Sequence, residues 1–155
     1  EEKGVSAAVI NLGGKVAVLG SKEDGSPWNI GIERPHSDRT EVIGSLEAID
    51  ATVVTSGTYE RKFEENGVLY HHVLDPATGY PAQTDLESVT ITAKRGNSAF
   101  CDGLSTVCLI SGMEKAQALV RELQEKYPEM ELEAAFIDKD DDMVQTDGMK
   151  IKPVD

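Results

Sequence analysis

The alternation of apolar and polar positions divides the chain into a strand-rich first part and a helical second part. After a polar start, the apolar run Ser6 to Leu12 predicts a buried strand, and Lys15 to Leu19 (KVAVL) predicts its returning partner across Gly13-Gly14. Trp28 to Glu33 (WNIGIE) alternates as a strand should. Further strands are predicted over Glu41 to Ile49 and Thr52 to Ser56. Lys62 to Glu64 and Val68 to Leu74 flank Asn66-Gly67, a strong hairpin signal, and Glu87 to Lys94 (ESVTITAK) alternates strictly. Beyond Arg95-Gly96 the period becomes helical. Ser98 to Ser111 is predicted as a helix capped by Asn97 or Ser98, with Phe100, Leu104, Val107 and Cys108 as its apolar stripe. Met113 to Lys126 makes a second helix, closed by Pro128, and Glu131 to Ile137 a strand, followed by a polar turn and a weak hairpin toward Lys152.

Strands followed by two consecutive helices favour an α+β fold over alternating βαβ units. The expectation is a mostly antiparallel, hairpin-built sheet with both helices packed on one face. The 155 residues, 39% of them hydrophobic, suffice for one domain with a core. With 28 acidic against 15 basic residues the net charge is −13, which argues against nucleic acid or an anionic membrane surface as the main partner. An anionic ligand would need a cation supplied with it. No run of eighteen apolar residues is present to span a bilayer. Cys101 and Cys108 fall in one predicted helix, about 10 Å apart at 1.5 Å per residue, beyond disulfide reach, and read as reduced core residues.

The densest chemistry lies in Tyr70 to Pro81, YHHVLDPATGYP. Pro76 forces Asp75 into extended backbone, and Thr78-Gly79 and Tyr80-Pro81 turn the chain again. This segment reads either as a self-capping turn or as a shaped loop presenting His72 and Asp75. Gly13-Gly14 is a turn or a place where a ligand approaches the main chain, and Ser56-Gly57 an ordinary strand end or an anion site. Asp102 and Thr106, four apart on one helical face, offer a carboxylate and a hydroxyl to a hard cation such as magnesium. Gly103 between them weakens the helix and would allow close access to its backbone. His36, in a polar loop, receives no role. Asp138, Asp140 and Asp142 imitate an EF-hand start, but Met143 and Met149 stand where that loop needs glycine and glutamate.

Taken together, Asn11-Leu12-Gly13-Gly14, Trp28 with Gly31-Ile32, Thr55-Ser56-Gly57 with Tyr59-Glu60-Arg61, His72-Val73-Leu74-Asp75-Pro76 with Thr78-Gly79-Tyr80-Pro81, and Asp102 with Leu104-Ser105-Thr106 occur in an order that resembles the C-terminal half of the FAD:protein FMN transferase (ApbE-like flavin transferase) family. The resemblance implies magnesium-dependent transfer of FMN from FAD to a threonine or serine of an acceptor protein, with release of AMP. It implies Asp102 and Thr106 as magnesium ligands and His72 as the catalytic histidine. Gly13, Gly14, Ser56, Gly57, Asp75 and Thr78 then line the flavin nucleotide site. It further implies that residues 1–155 are one domain lacking the family's N-terminal half, from an extracytoplasmic protein whose lipoprotein anchor lies in the absent part. Lys15 departs from the pattern, which commonly has asparagine after the double glycine. The rival readings are a FAD-cleaving hydrolase, an inactive half that needs its missing segment, and Asp102-Gly103-Leu104-Ser105-Thr106 as itself an acceptor.

Overall fold

The structure, a computed structural model, describes residues 4–37 and 41–154. Its strands are β1 (Ala8–Asn11), β2 (Lys15–Leu19), β3 (Trp28–Glu33), β4 (Val42–Ala48), β5 (Ala51–Gly57), β6 (Lys62–Glu65), β7 (Val68–His71) and β8 (Leu86–Lys94). Helices α1 (Ser98–Ser111) and α2 (Met113–Lys126) follow, then β9 (Glu133–Asp138), β10 (Met143–Gln145) and β11 (Lys152–Pro153). Six strands form an antiparallel sheet in the order β1-β2-β5-β8-β9-β10. The expected α+β class and antiparallel pairing are therefore present.

Both faces of this sheet are covered. Because successive strand residues point to opposite faces, Val53 and Val54 serve different cores. Val54, Val89, Ile91 and Phe136 pack with Leu104, Cys108, Leu109, Ala116 and Val120 of the helices. Val53, Val18, Ala135 and Ile137 pack instead with Ile32, Leu46 and Ala48. These last belong to a second sheet, β11-β4-β3, so the molecule has three layers, helices, main sheet and small sheet. Each fully buried aliphatic side chain in these cores contributes about 1.5–3 kcal/mol relative to exposure.

Four expectations are corrected. Strand β1 is not buried: Ile10 is 55% and Leu12 73% exposed, because β1 is the sheet margin and neither core includes a residue of it. The buried face of α1 is Cys101, Leu104, Ser105, Cys108 and Leu109, while Phe100 and Val107 are exposed. Small Cys101 and Ser105 turn toward the sheet and displace the larger residues outward. Asn97 occupies the N-cap position as expected, but no side chain caps the helix; Asn97 Nδ2 donates to Lys94 O, and the Ser98 hydroxyl lies 2.6 Å from that of Thr52. Lastly, β10 pairs with β9 and β11 with β4, so the C-terminal segment crosses to the small sheet, with Met149 and Ile151 in its core, instead of forming a hairpin of its own.

The local signals explain the joints that matter for the site. Gly13 and Gly14 have φ of 66° and 75°, the left-handed pair that a tight hairpin turn requires, and they join β1 to β2. Gly112 is the one residue between the helices, and Asp85 Oδ1 accepts the Met113 N–H at 2.9 Å, supplying α2 with the cap its own sequence lacks.

Candidate functional site

Strand β5 and helix α1 are joined by hydroxyls. Ser56 Oγ lies 2.7 Å from Ser105 Oγ and 3.3 Å from Thr106 Oγ1. Ser105 and Thr106 each donate to the carbonyl of Asp102, at 3.0 and 3.2 Å. A hydroxyl has one proton, so Ser56 is the donor toward the helix. Thr106, its proton spent on its own helix, is left with lone pairs. The oxygens beside Asp102 therefore act as acceptors.

The glycine turn reaches the same place. The Gly14 carbonyl accepts the Thr55 N–H at 2.8 Å, one residue before Ser56. A Cβ at Gly14 would stand 3.0 Å from the Thr55 carbonyl oxygen, so this approach and its φ both require glycine. From the adjacent position Lys15 extends its ammonium to 2.6 Å from Asp102 Oδ2, an ion pair with both side chains about two-fifths exposed, 44% and 41%. Gly14, Lys15, Ser56, Asp102 and Thr106, drawn from three elements, thus form one cluster.

Gly14 also lines a cleft of about 120 Å³ on the small-sheet face, the face of Val53, whose lining includes Asn11, Gly31, Thr55, Tyr59 and Glu60. Burial, reinforced by the charges of Glu33 and Glu60, pushes the Tyr59 phenol well above its ordinary range, so it stays a protonated donor. Gly57 is buried against that ring; a Cβ there would collide with Tyr59 Cε1. His36, assigned no role from sequence, joins a chain of contacts here. Lys62 Nζ lies 2.6 Å from His36 Nδ1, His36 Nε2 lies 3.0 Å from a Glu87 carboxylate oxygen, and Thr58 donates to the same carboxylate. Nothing in the local sequence marks this network, because its members come from three separate stretches, around His36, Thr58 to Lys62, and Glu87.

The loop after β7 is stiffened by its own polar groups. Asp75 Oδ1 accepts the Ala77 N–H at 2.8 Å, the Asp75 carbonyl accepts from Thr78 and Gly79, and Thr78 Oγ1 accepts from Tyr80. Val73 anchors the loop base in the core that also contains Leu104 of α1, with Ala82 N–H donating to the Val73 carbonyl at 3.0 Å. His72 is exposed, its backbone N–H bonded to the Arg61 carbonyl at 3.1 Å. Among the described residues no hydrogen bond or ion pair joins His72, Asp75 or Thr78 to Asp102.

A larger cavity of about 240 Å³ lies between α2 and β9–β10, lined by Arg121, Gln124, Glu133 and Thr146 among others. Its Glu133 carboxylate is already engaged by Thr146 and Gln124, and the cavity contains none of the residues that converge on Asp102. Among the described residues no three His, Cys, Asp or Glu side chains gather as a metal cluster. No helix there is long and apolar enough to cross a membrane.

A model of the ApbE family matches residues 1–130. The chain belongs to the ApbE family. It is 43% identical over 126 residues to the FAD:protein FMN transferase of Treponema pallidum, covering 76% of this chain and 34% of that protein. It is 37% identical over 148 residues to that of Klebsiella pneumoniae, covering 96% and 42%. Among solved structures, an ApbE protein from Thermotoga maritima superposes with a TM-score of 0.74 at 33% identity, over 91% of this chain and 43% of its own. The flavin transferase ApbE from Vibrio cholerae superposes with a TM-score of 0.71 at 31% identity, over 94% and 43%. The chain thus spans roughly two-fifths of the length of these ApbE relatives. The cleft that shares Gly14 with the Asp102 cluster gathers residues from three of the blocks that carried the family resemblance, Asn11 with Gly14, Gly31, and Thr55 with Tyr59 and Glu60.

Proposed function

We propose that this chain is the C-terminal half of a magnesium-dependent transferase that moves FMN from FAD to a threonine or serine of an acceptor protein. The observation that carries the reading is the convergence of the glycine turn, Ser56, Asp102 and Thr106 on one place, with Gly14 of that turn also lining the cleft of Gly31 and Tyr59. The acceptor oxygen bonds to the FMN phosphorus, the pyrophosphate oxygen–phosphorus bond breaks, and AMP departs.

The donor set suits magnesium. Asp102 gives a charged oxygen that already attracts a cation, and Thr106 a hydroxyl whose proton is committed elsewhere, a hard and sparse set that leaves room for water and phosphate. Bound there, magnesium would supply charge neutralisation to the phosphates of the substrate. Gly13 and Gly14, with no side chains, let the diphosphate come close to the backbone, and Ser56-Gly57 shape the wall opposite. Tyr59 offers a permanent proton to the nucleotide. His72, exposed at the start of the loop that Asp75 and Thr78 hold in shape, is assigned the proton of the attacking hydroxyl. Asp75 and Thr78 serve the nucleotide through that loop. An extracytoplasmic location is part of the same proposal.

The test incubates FAD, magnesium and an acceptor protein with this chain, and with the chain extended at its N-terminus to the length of its relatives, following AMP and the mass of the acceptor. The extended protein is expected to add one FMN; the chain alone is expected to do so poorly or not at all. AMP and free FMN without an adduct would favour hydrolysis.

A further inference from the structure

Lys15 is the cationic side chain that the described structure places on the Asp102 carboxylate, at 2.6 Å. Its backbone cannot drift. The Leu12 N–H donates to the Lys15 carbonyl at 2.9 Å, the preceding carbonyl holds Thr55, and Lys15 itself is in register with Val54. Only the side chain is mobile, and a lysine stem has four rotatable carbons ending in a compact charge. The ammonium therefore occupies one of the two carboxylate oxygens that Asp102 offers to a divalent cation, on a tether that can release it without disturbing the fold.

We infer that Lys15 is a tethered competitor for the cation at Asp102, which yields that carboxylate when a divalent cation arrives with a diphosphate and then pairs with the diphosphate itself. This rests on the reading of Asp102 as the cation ligand. The physical logic is one of linkage. With no nucleotide, a cation must displace the ammonium and then endure its repulsion, so the empty site binds cations weakly. With a diphosphate present, the displaced ammonium gains an anion on the same side of the glycine turn, and the penalty is returned. Cation and nucleotide thereby favour each other, and by reciprocity each raises the affinity for the other by the same factor. The pair is part-exposed, a class in which single ion pairs are weak, so the competition amounts to a factor of about two to five. In a chain of net charge −13, the device discourages stray divalent cations at a carboxylate that must stay available for the substrate complex.

The test titrates Mn²⁺ into the protein and follows the free-ion electron paramagnetic resonance signal, with and without FAD, in the wild type and in Lys15→Met and Asp102→Asn. Lys15→Met is expected to bind Mn²⁺ about two- to fivefold more tightly without FAD and to gain less from adding FAD. Lys15→Arg, which keeps the charge, is expected to behave like the wild type. Unchanged affinity and coupling in Lys15→Met, with binding lost in Asp102→Asn, overturns the role given to Lys15 and leaves the metal assignment standing. Unchanged Mn²⁺ binding in both variants overturns both.

Discussion

The hydroxyl of Ser56 lies 2.7 Å from that of Ser105, and this contact fixes the distance between the end of β5 and the helix face that carries Asp102. Ser105 is fully buried and also donates to the Asp102 carbonyl. Replacing it by alanine leaves Ser56 with only its longer contact to Thr106. Ser105→Ala is expected to lower stability by about 1 kcal/mol, the usual net worth of one buried hydrogen bond, as measured by urea unfolding. An unchanged midpoint would mean that the hydroxyl pair does not hold the helix in place.

Gly103 separates stability from function. A Cβ there would meet nothing within 4 Å in this structure, so Gly103→Ala is expected to stabilise the helix by about 1 kcal/mol through propensity alone. If substrate approaches the backbone between Asp102 and Thr106, the same variant loses transfer activity while its melting temperature rises. A stabilised variant with full activity would show that the glycine is not there for access.

The two cysteines are expected to be inert in the folded protein. Burial raises the thiol of Cys101 to about 11 and that of Cys108 to about 12, so the nucleophilic thiolate is scarce at pH 8. Iodoacetamide should label neither in native buffer and both in denaturant, read by mass. Rapid native labelling would contradict the packing of α1 against the sheet.

His71 makes a prediction about acid. Burial, the largest cause, holds it below its ordinary 6.5, aided by the charge of neighbouring His72 and partly offset by the hydrogen bond with the Ala82 backbone and by Glu87. The unfolded chain takes up this proton more readily than the folded one, so unfolding gains protons as the pH drops. The contribution of His71 is full above about pH 6.5 and is lost as pH falls through the folded value. His71→Gln is therefore expected to lose less stability than the wild type between pH 7 and pH 5, in parallel denaturant titrations. Equal losses would remove His71 from the account.

Much of this architecture was legible in the chain because local signals agreed with it. The helical period from Ser98 to Ser111 and from Met113 to Lys126, and the alternation from Trp28 to Glu33, give those elements with the boundaries the structure has. What could not be read was partnership. Ile30 and Ile32 alternate just as they would in the main sheet, and nothing local says that β3 pairs with β4 and covers the face opposite the helices. The apolar run of β1 signals burial, yet its place at the sheet margin leaves it exposed. At the site, the four-residue spacing of Asp102 and Thr106 was visible. The contacts that give it meaning, Lys15 on the carboxylate and Ser56 on the hydroxyls, join segments far apart in sequence, which periodicity cannot see.

Thr106 and Asp102 should differ in weight. Water can replace a neutral hydroxyl ligand, whereas loss of a carboxylate strips charge from a cation that dehydrates reluctantly. Thr106→Ala is expected to raise the magnesium concentration needed for half-maximal transfer while keeping substantial activity at saturation. Activity abolished at every magnesium concentration would give the hydroxyl a role other than that of a replaceable ligand.

The most direct test of the central claim is the mass of an acceptor protein after incubation with FAD, magnesium and the N-terminally extended protein carrying Asp102→Ala. The account predicts one added FMN with the wild type and none with the variant, with folding of the variant verified by circular dichroism. Full addition of FMN by the Asp102→Ala protein would contradict it.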